Sequence, residues 1–88
     1  MDLVTLRFEL QGRMMGWLMA AALKSGISYQ DLVRDHPEFL PWLMGTTGKI
    51  MPIKVFIKIA RYFQLPYDEI AEWLLTLQME MIKKKASN

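Results

Sequence analysis

Residues 57–70 have the sequence IKIARYFQLPYDEI, in which one helix ends, the chain turns and another helix begins. The segment Gln-Leu-Pro at 64–66 is the turn, because proline cannot continue a helix. The acidic pair that follows favours the positively polarised N-terminus of a new helix. The pattern therefore predicts a helix over 53–63, opened by the preceding proline, and a final helix from Tyr67 to about Lys83.

Both of these helices carry an apolar stripe at intervals of three and four residues, which is typical of helices that pack on a core. The stripes consist of Phe56, Ile59, Ala60 and Phe63 in the first helix, and of Ile70, Trp73, Leu74, Leu77 and Met81 in the second. Leu75, Met79 and Ile82 lie off the second stripe. Two interpretations stay open for them: contact with the N-terminal segment, or contact with a second copy of the chain.

The N-terminal 25 residues predict a helix, but the sequence does not fix the residue at which it begins. Residues 2–10 alternate between apolar and polar side chains as a strand would, and they also place apolar residues on one helical face. No second alternating run offers a partner strand, so a helix, or an extended arm leading into one, is favoured. From Gln11 to Lys24 the apolar face and the alanines predict a helix. Gly26 suits the left-handed position that follows a helix.

The second helix has a well-marked start at Ser28. Asp31, three residues further on, completes an acidic variant of the capping box. Ile27 and Leu32 flank this cap as a hydrophobic staple. These signals predict a short helix from Tyr29 to about residue 34.

The third helix is harder to bound because it contains two prolines. The acidic residues at 35 and 38 resemble another pair of capping residues, which favours a helix over 37–44. Pro41 disfavours the interior of a helix, so a helix that begins near Leu40 is the alternative. The segment 45–49, Gly-Thr-Thr-Gly-Lys, is expected to form a loop.

The composition is that of a globular protein, and the helix signals above predict one all-α domain over 1–83, with a flexible basic tail at 84–88. The chain has 88 residues, of which 52% are hydrophobic and 23% charged, and its net charge is +2 at pH 7. This length supports one core. No apolar run reaches the length of a membrane span, so we expect a cytoplasmic protein without a membrane partner.

The same composition argues against catalysis and cofactor binding. Cysteine is absent, which excludes disulfides and thiolate metal sites. His36 is the single histidine, and it is interpreted as an exposed neighbour of a helix cap. One histidine with scattered carboxylates predicts neither a metal site nor a catalytic base. We therefore expect no catalytic residues, no metal and no cofactor, and not an enzyme.

Several of these features recur together in a known pattern: Gly26-Ile27-Ser28 before helix two, Leu32-Val33 inside it, Gly48-Lys49 after helix three, then Pro52 and the run 57–70. From residue 18 to residue 74 the chain thereby resembles the Cro/cI-type (Xre-like) helix-turn-helix family of phage and bacterial regulators. The resemblance implies a five-helix, lambda-repressor-like bundle, here with an additional N-terminal arm or helix extension. One departure is Pro66, which stands where the family has a small polar cap.

The resemblance further implies a transcriptional regulator that binds double-stranded DNA, expected as a homodimer. In such modules the second helix crosses the DNA backbone and holds the third helix in the major groove. The matching positions place Thr46, Thr47 and Lys49 near the groove, and Gln30, Arg34, Lys54 and Lys58 toward phosphates.

Helix three itself departs from this pattern, because residues 38–44 contain no donor suited to reading base edges. If its apolar side chains are exposed, they suit a protein partner instead. The second hypothesis is therefore a protein–protein interaction module, an adaptor or inhibitor, on the same helical fold. Its contact residues would be Phe39, Leu40, Leu43 and Met44.

Overall fold

A computed structural model describes residues 3–86, which contain five α-helices, one turn of 3₁₀ helix and no strand. The α-helices are α1 (Leu3–Ser25), α2 (Tyr29–Asp35), α3 (Leu40–Met44), α4 (Ile53–Tyr62) and α5 (Tyr67–Ala86), and the 3₁₀ helix is Pro37–Phe39. The predicted all-α class is confirmed. No helix within this range combines the length and the apolar character needed to cross a membrane.

Helix α1 runs without interruption through the segment whose beginning the sequence left open. The strand-like alternation near its start is therefore overridden, because Leu10 and Met14 on one helical face pack on the core. The helix ends as predicted at Gly26, which has φ 75° and donates its N–H to the carbonyl of Ala22 at 3.0 Å. A side chain at position 26 would strain this left-handed conformation.

The predicted capping box opens α2. The hydroxyl of Ser28 accepts the Asp31 N–H at 3.1 Å, and the Asp31 carboxylate accepts the Ser28 N–H at 3.3 Å. Leu32 is fully buried, and Ile27 packs beside the core, as the staple requires. Helix α2 ends at Asp35, one residue later than predicted.

The two prolines divide the third element. The 3₁₀ turn occupies the first part of the predicted segment, and α3 begins at Leu40 with Pro41 in its first turn. The alternative that starts near Leu40 is the correct one. Asp35 does not cap this element as expected; His36 occupies the cap position without a side-chain hydrogen bond. Asp35 instead accepts a hydrogen bond from Tyr62, 27 residues away, which no local pattern indicates.

Three aromatic rings, from Trp17 of α1, Phe56 of α4 and Trp73 of α5, form the aromatic stack that joins these helices. The centroids of Trp17 and Trp73 are 4.8 Å apart with 19° between the ring planes. The Phe56 centroid lies 5.4 Å from Trp17 and 5.3 Å from Trp73. Each such pair contributes about 0.5–1.5 kcal/mol beyond area burial. Phe56 is completely buried, so the stack is part of the core.

The predicted apolar stripes of α4 and α5 face this core. All four stripe residues of α4 are buried, and so are Ile70 and Leu77 of α5. The other members of the α5 stripe pack against the core while partly exposed. The periodicity of the sequence therefore identified the inward faces of both helices correctly.

Helices α1 and α5 are antiparallel, and two ion pairs join them. Arg13 pairs with Glu80, and Glu9 pairs with Lys84. Helix α5 continues to Ala86, past the predicted end near Lys83. Residues 84–86, with which the expected tail begins, belong to α5, and residues 87 and 88 lie outside the described range.

The interpretation that the N-terminal segment covers the outer face of α5 is wrong. Leu75, Met79 and Ile82 remain exposed, because α1 packs along the neighbouring stripe instead. An apolar strip on α5 is therefore left without a partner in residues 3–86.

Phe56→Ala is expected to lower the free energy of unfolding by about 3–5 kcal/mol, since it removes a buried ring that packs against both indoles. Phe8→Ala, a matched control at a ring that is 76% exposed, should change it by less than about 0.5 kcal/mol. Denaturant-induced unfolding monitored by circular dichroism measures both. If the alanine variant does not fold, Phe56→Leu, which keeps most of the side-chain volume, replaces it in the same measurement. Equal effects at positions 8 and 56 would contradict the central role of the stack.

Candidate functional site

Helix α2 is held against the end of α4 by aromatic and polar contacts. The Tyr29 and Phe63 rings are 5.6 Å apart, and the ring of His36 meets the edge of Tyr62 at 5.6 Å. The Tyr62 hydroxyl donates to the Asp35 carboxylate at 2.7 Å. This bond holds the pKa of Asp35 below its ordinary value and raises the pKa of Tyr62. Both ends of α2 are thus fixed to the end of α4.

Arg34, predicted as a phosphate contact, is already paired within α2. Its guanidinium lies 3.3 Å from the Asp31 carboxylate and 3.4 Å from that of Asp35. The hydrogen bond and the charge of Asp35 raise the pKa of Arg34. Because two acids neutralise this cation, it offers less attraction to phosphate than the sequence indicated. Gln30, one turn earlier, is exposed.

The predicted groove residues lie in the loop after α3, where two of them stabilise the loop itself. The Thr46 hydroxyl donates to the Pro41 carbonyl at 3.3 Å. The Thr47 hydroxyl donates to the Lys49 carbonyl and accepts the Lys49 N–H, both at 3.2 Å. Gly48 lies between them at φ 69°. The threonines thus shape the loop, and the Lys49 side chain projects from it into solvent.

Gln11 anchors this loop to α1, a role that the sequence did not reveal. Its side-chain carbonyl accepts the N–H of Met51 at 3.0 Å across 40 residues of sequence. Met51 is almost fully buried, so its N–H depends on this acceptor. A glutamine on an amphipathic helix carries no local signal of such a contact.

The cations predicted to face phosphates have different environments. Lys49, Lys54 and Lys58 are exposed, and none of them forms an ion pair within residues 3–86. Arg61, the next basic residue along α4, donates to the Leu65 carbonyl at 2.7 Å and lies 4.5 Å from the centroid of the Tyr67 ring. Arg61 therefore closes the turn between α4 and α5, and the three lysines carry the available charge.

Helix three presents less apolar surface than the interaction hypothesis requires. Phe39 is buried and Leu43 packs partly on the core, so the expectation of an exposed Phe39 is corrected. Leu40 and Met44 are 40% and 66% exposed. The ring of Phe39 lies 5.5 Å from that of His36, between centroids, and its burial in the core attaches the 3₁₀ turn to the bundle.

The described residues contain one buried polar atom without a partner and no metal-binding cluster. The hydroxyl oxygen of Tyr29 is buried and has no hydrogen-bond partner in this part of the chain, and burial raises its pKa. Between residues 3 and 86 no three His, Asp or Glu side chains are grouped closely enough to hold a metal ion.

Comparison of the chain with protein-family models, with curated protein sequences and with solved structures found no match.

Gln11→Ala is expected to lower the free energy of unfolding by about 1–3 kcal/mol, because it leaves the buried Met51 N–H without an acceptor. It should also speed hydrogen exchange at the Met51 amide, since the loop is released from α1. Gln78→Ala, at an exposed position of α5, is the matched control. Unchanged exchange at Met51 would show that the loop does not depend on Gln11.

Proposed function

We propose that the protein is a small cytoplasmic regulator that binds double-stranded DNA, with the lambda-repressor-like helix-turn-helix arrangement that its sequence pattern resembles. One observation carries this proposal: the exposed, unpaired lysines Lys49, Lys54 and Lys58 lie on the loop after helix three and on the helix that follows it. In the helix-turn-helix family that the chain resembles, this part of the module faces the DNA backbone.

Unpaired lysines suit a phosphate backbone because each contact releases condensed counterions. Arg34 and Arg61 hold intramolecular acceptors, so their charges contribute less to such binding. Anchoring of the loop through Gln11 places Lys49 on a fixed support. A fixed cation loses less conformational entropy on binding than one on a mobile loop.

The same surface offers little for reading bases. Leu40 and Met44, the exposed apolar residues of α3, are able to contact thymine methyl groups only. The Thr46 hydroxyl donates to the Pro41 carbonyl in α3, and the Thr47 hydroxyl donates to the Lys49 carbonyl in the loop. We therefore expect phosphate contacts to dominate affinity, with weak discrimination between sequences.

The outer face of α5 supports a homodimer. Leu75, Met79 and Ile82 are exposed at intervals of four and three residues, the spacing of a helix–helix seam. The exposed acids of α5 lie toward its N-terminus and include Glu72, whereas Lys83 is exposed near its C-terminus. An antiparallel second copy of α5 would place Glu72 of one protomer near Lys83 of the other. Apolar and charged groups are thus both complementary in this arrangement.

Replacing Lys49, Lys54 or Lys58 by Gln is expected to weaken binding to a short mixed-sequence duplex. Each replacement should reduce the slope of log affinity against log salt by about 0.9, the value for one lost phosphate contact. Fluorescence anisotropy over a salt series measures affinity and slope together.

Lys24→Gln is the control, since Lys24 is exposed but lies outside this set. No duplex binding by the unmodified chain at low salt, or slopes that do not respond to any of the three replacements, would reject the DNA-binding proposal.

Met79→Glu is expected to convert the dimer to a monomer, because it places a carboxylate in the apolar seam. Met19→Glu is a matched control, since Met19 is 54% exposed and Met79 is 57% exposed. Sedimentation equilibrium measures the molecular mass of both variants and of the unmodified chain. The proposed dimer contact through α5 would be rejected if the unmodified chain were monomeric at all accessible concentrations. It would also be rejected if Met79→Glu remained dimeric.

A protein partner at helix three is the second candidate, favoured by the exposure of Leu40 and Met44. Burial of Phe39 narrows this surface compared with the sequence-based expectation. An adaptor or inhibitor of this kind would fail to bind duplex DNA and would lose a partner captured from its host on Met44→Glu. Retention of that partner by Met44→Glu would reject this candidate.

A further inference from the structure

A cleft of about 420 Å³ lies between α1 and the loop after α3. Arg7, Phe8 and Gln11 line it from α1, and Gly45, Gly48 and Lys49 line it from the loop. Its volume is within the range of small-ligand sites. The cleft was not indicated by any sequence motif, because its two walls are some 40 residues apart and meet only through the tertiary fold.

Two of the residues that line the cleft, Arg7 and Lys49, are cationic. Arg7 and Lys49 are both exposed, and neither forms an ion pair in the described part of the chain. The other charges of this part of α1 are neutralised, since Arg13 pairs with Glu80 and Glu9 pairs with Lys84. Two unpaired cations on one cleft raise the local positive potential, which an anion would relieve.

The walls of the cleft are held in place without a ligand. Gln11 binds the backbone of Met51, which fixes the loop against α1. At Gly48 a Cβ atom would meet no other atom within 4 Å, so the backbone borders open space there. A ligand can therefore approach the loop closely without rearranging it.

Phe8 adds an aromatic surface to this charged cleft. Phe8 is 76% exposed, so its ring is open to solvent at the cleft. Nucleobases stack on exposed aromatic side chains, and this stacking is tolerant of base identity. An anion that also carries an aromatic base would use both features of the cleft.

We propose that this cleft binds a phosphate group through Arg7 and Lys49. The phosphate has two possible sources: the backbone of bound duplex DNA, or a free nucleotide whose base stacks on Phe8. With the first source the inference rests on the proposed function and extends its contact surface onto α1. With the second source the cleft is a ligand site independent of duplex binding.

The test measures binding of adenosine 5′-monophosphate, inorganic phosphate and a short duplex to the full chain by titration calorimetry. Arg7→Gln should weaken binding of the phosphate-bearing ligand by about tenfold, the effect of losing one charge-assisted hydrogen bond. Lys24→Gln on the same helix is the matched control and should leave binding unchanged. Thermal unfolding of each variant confirms that the fold is retained.

Phe8→Ala separates the two sources. Loss of adenosine monophosphate binding in Phe8→Ala, with duplex binding retained, identifies the free nucleotide. Duplex binding that depends on Arg7, together with no binding of the mononucleotide, identifies the DNA backbone.

Equal affinities of Arg7→Gln and Lys24→Gln for every probe would overturn the cleft proposal. Duplex binding that needs Lys54 and Lys58 but not Arg7 would overturn the cleft as a duplex contact and leave the proposed function standing. If the mononucleotide bound in a manner that needs Arg7 and the chain bound no duplex, the proposed function would be overturned and the cleft would stand as a nucleotide site.

Discussion

Stacking of Trp17, Phe56 and Trp73 is the interaction on which the rest of the structure depends. The three rings come from α1, α4 and α5, and no two of them are near neighbours in sequence. Once they meet, the directions of the three long helices are set relative to one another. The ion pairs between α1 and α5 then extend the same antiparallel packing toward the ends of both helices.

Long-range polar contacts decide which charges and loops are available for binding. Gln11 holds the loop after α3 through Met51, and Tyr62 holds the end of α2 through Asp35. Arg61 is occupied at the turn before α5. Each contact engages polar groups within the chain, so these groups are not available to a ligand. The exposed lysines Lys49, Lys54 and Lys58 remain available for binding.

The third helical element, residues 37–44, is attached to the core instead of presenting an apolar face to solvent. Its prolines restrict it to a 3₁₀ turn followed by a short α-helix, and burial of Phe39 makes this element an anchor. Because this element is anchored in the core, most of its apolar side chains are not available to a ligand. Any nucleic-acid binding must then depend on charge at the edges of the element, which is where Lys49 and the cleft beside Arg7 lie.

Features that depend on neighbours in sequence were determined by the sequence alone. The capping box at Ser28, the helix end at Gly26 and the inward faces of α4 and α5 are set by groups within a few residues of one another, so local rules predicted them. Only the tertiary structure decided the partner of Asp35, the anchoring role of Gln11, the extension of α5 to Ala86 and the cleft between α1 and the loop. These features join residues tens of positions apart, and a side chain carries no local mark of a distant partner.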